Sequence, residues 1–124
     1  MAVELSEIRK RVGQRLRILA PAETLDANDA ETIDAGLDAV VAYLDALELI
    51  TLDLEDGVEE QYVTPLTMMA AAVLVDSFQI PEPRRSVLRD EGLLGLPNAS
   101  LAERMLRKLL YSRDTGEPVK SEYF

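Results

Sequence analysis

No cysteine, no histidine and no tryptophan occur in this sequence of 124 residues, and its aromatic content is four tyrosines and two phenylalanines. Without cysteine there are no disulfides, and the redox compartment leaves no mark on the chain. The joint lack of cysteine and histidine removes the usual ligands of transition metals and the bases of most nucleophilic dyads. A calcium loop is excluded on spacing. With Gly57 at the sixth position of an EF-hand frame, Leu52 and Leu54 fall where carboxylates must stand. None of the six glycines lies in a phosphate-binding or dinucleotide fingerprint, and no serine sits in Gly-x-Ser-x-Gly. Adjacent carboxylates such as Glu59 and Glu60 have the chemistry for acid–base work, but among 23 acidic residues such pairs arise by chance. The expectation is a protein with no catalytic role, no metal and no cofactor.

Long hydrophobic runs are missing too. The best candidate, 68–75, is stopped by Asp76, well short of the roughly 18 apolar residues that suggest a membrane span. The N-terminal MAVELSEIRKRVGQ is charged and amphipathic and lacks a signal peptide's apolar block, so folding in the cytosol is expected.

The most informative shortage is of positive charge. Residues 1–18 carry five basic and two acidic side chains, whereas 19–83 carry fifteen acidic and no basic ones. Residues 84–124 return to eight basic and six acidic, and the whole chain has a formal charge of -10. An acidic, water-facing surface accounts for this; so does a surface that must repel an anion or meet a basic partner. Phosphate contacts need Lys and Arg, so the chain is a poor non-specific DNA binder.

What is present is helical pattern. The apolar share of 48% and charged share of 29% are those of a globular domain, and the length fits one domain. Leu5, Ile8, Val12, Leu16 and Leu19 recur at steps of three and four, predicting an amphipathic helix over about 4–19. Its other faces carry Arg9, Lys10, Arg11, Arg15 and Arg17. Over 27–48 a second helix is predicted, capped by Asp26 or Asn28. Ile33, Leu37, Val40, Val41, Leu44 and Leu47 form its apolar stripe, with Asp34, Asp38 and Asp45 opposite. Ile50, Leu52 and Leu54 then alternate with polar residues before Asp56-Gly57, which admits a short β-hairpin at 50–61. The far side is so acidic that a long acidic loop is the preferred reading. Thr64-Pro65 reads as the start of a third helix, with Pro at its first position. This helix is apolar nearly all round to Phe78, as a central buried helix would be. A short helix about 84–91 is stopped by Gly92. Ser100 to Glu103 form a capping box that opens a last helix to about Tyr111. The remainder, 112–124, is a polar tail with Gly116 and Pro118.

The amphipathic first helix, LDANDAETIDAGLDAVVAYLDALELI (25–50) and YVTPLTMMAAAVLVDSFQIP (62–81) together resemble the head-to-tail adaptor, or connector, proteins of tailed bacteriophages and gene transfer agents. The likeness lies in the acidic, Ala-rich stretch 27–39 and in Tyr62, Pro65 and Leu66 leading into an Ala-rich buried helix. It spans roughly 3–111; the stretch 87–98 departs from the pattern. The resemblance implies an all-α bundle of four to five helices over 1–111, serving as an adaptor domain, with an extended C-terminal tail at 112–124. It implies a self-assembled ring, usually twelvefold, in the neck of the virion, made in the host cytoplasm. The portal protein is the expected partner on one side and a stopper or tail protein on the other. Double-stranded DNA would pass through the ring unbound, and no membrane is involved. Arg113, Val119, Lys120, Tyr123 and Phe124 are the expected portal-binding residues, the apolar ones as anchors that order on a partner. Arg9, Arg11 and Arg15 on the first helix and Asp53, Glu55 and Glu59 in the acidic loop are the expected inter-subunit contacts. Two readings compete with this one. They are a cytosolic acidic regulatory module that mimics DNA toward a basic partner, and a different neck component such as a stopper or tail-completion protein.

Overall fold

The computed structural model describes residues 2–19, 25–94 and 97–115. Among these residues it is the expected helical bundle, with five helices: α1 (Leu5–Arg15), α2 (Ala27–Ala46), α3 (Glu60–Leu74), α4 (Arg84–Gly92) and α5 (Leu101–Thr115). Two strands of two residues each, β1 (Ala2–Val3) and β2 (Val58–Glu59), pair antiparallel, with Ala2 opposite Glu59 and Val3 opposite Val58. A strand therefore does form within 50–61. Its partner is the N-terminus and not Ile50–Leu54 of the same loop. Val58 and Val3 are both buried, and placing them side by side closes the core beneath α3.

The apolar third helix is the hub, as its lack of a polar face requires. α3 packs against every other helix and both strands. Tyr62, Val63, Leu66, Met68, Met69, Ala70, Ala71, Ala72 and Leu74 are all buried. Each large side chain among them contributes about 1.5–3 kcal/mol of burial. The helix begins at Glu60, five residues before the predicted first position, Pro65, which lies inside it. Burial of Tyr62 and Val63 draws the first turn into the core. The missing N–H of Pro65 leaves the Gln61 carbonyl without its helical donor, and Gln61 is exposed to water, which can replace that bond.

α1 ends at Arg15, short of the predicted position 19. Arg17 adopts φ 61°, and its N–H and that of Ile18 turn back to the carbonyls of Gln14 (3.0 Å) and Gly13 (3.1 Å). Leu16 and Leu19 stay buried because this turn folds Leu19 back over Gly13. The same closure ends α2, where Glu48 (φ 58°) and Leu49 bond Asp45 and Leu44, and follows α3, where Gln79 (φ 51°) and Ile80 bond Asp76 and Val75. In each case a left-handed residue satisfies carbonyls the helix would leave bare, and an apolar residue follows it into the bundle.

α2 and α5 start as their caps predict. The Asp26 carboxylate accepts from the Asp29 N–H at 2.8 Å, and Ser100 Oγ accepts from the Glu103 N–H at 3.3 Å. α5 runs on to Thr115, so the first four residues of the segment read as tail are helical. α4 ends where Gly92 predicted, and the glycine has a second reason. A Cβ there would stand 2.0 Å from the Met68 carbonyl oxygen, so α4 lies directly on the α3 backbone.

Candidate assembly surface

Three basic residues of α1 pair with carboxylates of the same chain. Arg9 donates to both oxygens of Asp34 on α2, at 2.6 and 2.9 Å. Arg11 reaches Glu7 within its own helix (3.3 Å) and Glu60 at the start of α3 (3.0 Å). Arg15 donates to Glu91 on α4 at 2.8 Å, and Arg84 donates to the Arg15 carbonyl at 2.7 Å. The three arginines expected at a subunit boundary thus tie α1 to α2, α3 and α4 of the same chain. Hydrogen bonding to Asp34 holds the Arg9 guanidinium above its ordinary range, against the opposing effect of burial. The bond to Glu60 does the same for Arg11. Periodicity revealed the helix and its cations but not these carboxylates, which lie 25, 49 and 76 residues away.

The acidic loop is ordered by its own side chains. Asp53 accepts from the Glu55 N–H at 3.0 Å and more weakly from that of Asp56, closing a turn that tucks Leu54 into the core. Glu55 is exposed, and Glu59 accepts from the Gln61 side chain at 2.7 Å. Gly57, with φ 94°, passes under β1 where a Cβ would meet Ala2 and Val3. Between this loop and α5 lies an open groove of about 390 Å³, and Asp53, Glu59, Tyr62 and Arg113 are among its walls. Arg113 therefore stands on the same groove as two of the acidic residues expected to contact neighbours. Val119, Lys120, Tyr123 and Phe124 lie outside the described residues.

Two outer helix faces were not anticipated. On α2, Ala35, Ala39, Ala42 and Ala46 are exposed, and Tyr43 and Leu47 beside them keep 44% and 43% of their surface in water. On α5, Arg104, Arg107, Lys108 and Tyr111 follow helical spacing along one side, and Tyr111 is 60% exposed. The alanines and Tyr43 were legible in the sequence, interleaved with the aspartates opposite the core stripe. Leu47, which the periodicity assigns to the core stripe, is instead exposed at the end of α2.

Among the described residues no group of three or more Asp or Glu side chains is placed to hold a metal ion, and no helix is long and apolar enough to cross a membrane. No protein-family model, curated protein or solved structure matches the chain.

Proposed function

We propose that this chain is a structural subunit of the neck of a tailed phage, a head-to-tail adaptor that works by taking its place in a ring. The ring joins the portal to a stopper or tail protein and extends the DNA channel, and the chain performs no chemistry of its own. The observation that carries this reading is the disposition of charge. Arg9, Arg11 and Arg15 are engaged with carboxylates of the same chain, while Glu31, Asp38, Glu55, Asp56 and Glu59 face water. A conduit must let DNA slide, and a wall built from these exposed carboxylates, with the α1 arginines neutralised within the chain, would give phosphates little to grip. The helical pattern quoted above supports the adaptor assignment over other neck components.

Electron microscopy of the purified full chain, alone and mixed with the portal protein of the same phage, tests the proposal. Rings, formed alone or on the portal, are the expected result. A monomer indifferent to the portal overturns it. The exposed carboxylates of the 53–60 loop also fit an acidic module that occupies a basic partner, and capture of a host DNA-binding protein by such a monomer would favour that reading instead.

A further inference from the structure

We infer that the outer face of α2 docks on the outer face of α5 of a second copy of this chain, a head-to-tail contact that rests on the ring reading above and names its surfaces. α2 buries Ile33, Leu37, Val40 and Leu44 on α3 and α1, yet its opposite side is no ordinary wetted helix face. Water-facing sides of helices carry polar side chains. Here the low alanine strip 35, 39, 42, 46 lets another backbone approach, and Tyr43 and Leu47 stand beside it with more than two-fifths of their area exposed. Its other border is negative. Glu31 and Asp38 are exposed and have no ion-pair partner among the described residues, and α2 holds no cation at all.

What would cover this face must be apolar in part and basic at one edge. α5 supplies both. Its buried side is Ala102, Leu106 and Leu110, and its outer side presents Arg104, Arg107, which also bonds Glu103 of its own helix at 3.1 Å, and the half-buried Lys108 around the exposed Tyr111. Within one chain the two helices pack on different neighbours, α2 on α1 and α5 on α4, with α3 common to both. A twofold pairing of α2 with α2 would oppose carboxylate to carboxylate, and like charges across an interface cost several kcal/mol. The complementary pairing joins two different patches, which makes the contact heterologous. Each copy then offers one α2 face and one α5 face to its neighbours, and the chain of contacts closes as a ring or continues as a filament.

Charge exchange on the full-length chain decides this. Sedimentation velocity would be run on wild type, on Glu31→Lys/Asp38→Lys, on Arg104→Glu/Lys108→Glu, and on an equimolar mixture of the two variants. Circular dichroism would confirm that each variant is folded. Each variant alone should associate at least ~100-fold more weakly than wild type, since like charges then meet. The mixture should recover assembly, because every junction again joins opposite signs. A wild-type chain that is monomeric at millimolar concentration overturns the inference, and so do variants that assemble as wild type does. Rings seen by microscopy on the portal would leave the adaptor reading intact in either case. Failure of that reading needs a chain that ignores the portal, a separate measurement.

Discussion

Three residues hold conformations that side chains resist. Arg17, Glu48 and Gln79 are all left-handed, and all sit between apolar neighbours at a helix end: Leu16 and Ile18, Leu47 and Leu49, Phe78 and Ile80. The apolar residue after each must return to the bundle, and only a reversal of the helix sense within one residue achieves that. A Cβ in this conformation costs about 1–2 kcal/mol, which glycine avoids at some cost in unfolded-state entropy. Gln79→Gly should therefore stabilise the domain by about 0.5–1 kcal/mol, read as a rise of a few degrees in the thermal midpoint. A fall would mean that the Gln79 side chain contributes more than its backbone strain costs.

The Arg9–Asp34 pair is the other residue-scale device. It is bidentate and roughly one-third exposed on both sides, so its net worth is set by geometry and discounted by water. Arg9→Leu should cost about 1 kcal/mol in chemical denaturation. The pH dependence follows from the direction of the shift. A cation whose folded pKa is raised contributes fully below its unfolded value, which for arginine is strongly alkaline, and loses that contribution only as pH climbs through the still higher folded value. The destabilisation by Arg9→Leu should thus be the same at about pH 7 and about pH 9, both far below that window. A penalty that halves over that interval would show that the pair is not what the substitution removes.

At the scale of elements, what could be read from sequence was what is local. Asp26 followed by a stripe at Ile33, Leu37, Val40 and Leu44 fixes α2 at its start, although the helix ends at Ala46, two residues before the predicted 48, and Ser100 with Leu106 fixes α5 at its start. The start of α3 was not local. Pro65 looked like a first helical residue, whereas the pairing of Val58 with Val3 and the burial of Tyr62 and Val63 bring the chain into the helix before it. Two-residue strands have no period to detect, and their partners lie more than fifty residues apart. Gly92 was half legible, as a stop signal but not as a contact. It allows α4 to rest on the Met68 carbonyl, so Gly92→Ala must push the two helices apart along their whole line of contact. The expected loss is ~3 kcal/mol, large for a single methyl group, because backbone cannot yield as a side chain does. Gly57→Ala would strain a turn but leave that helix pair seated, and comparing the two by denaturation separates the effects. Equal, small losses would show that α4 can lift off α3 without harm.

For the whole molecule, the chain's charge pattern and its fold answer one another. A run of 65 residues without a cation would be self-repelling were it not framed by two basic segments, and the fold uses α1 and α4 to neutralise part of it: Arg9 on Asp34, Arg11 on Glu60 and Arg85 on Asp76. What is left over is an acidic, partly apolar exterior at α2 and a basic one at α5. α5 also carries the chain to Thr115, and Arg113 on its last turn lines the groove with Asp53 and Glu59. Because α5 is helical through Thr115, removing the tail at 112 would cut the helix itself, whereas removing 116–124 leaves all five helices whole. That shorter deletion should leave helicity and thermal midpoint unchanged, since it keeps whole the core of the described residues, which runs from Val3 to Leu110. On the adaptor reading it should abolish attachment to the portal, measured by co-sedimentation, while self-assembly through α2 and α5 persists. If the truncated chain still co-sediments with the portal, the portal-binding residues lie on the helical domain, and the groove at Arg113 becomes the place to look for them.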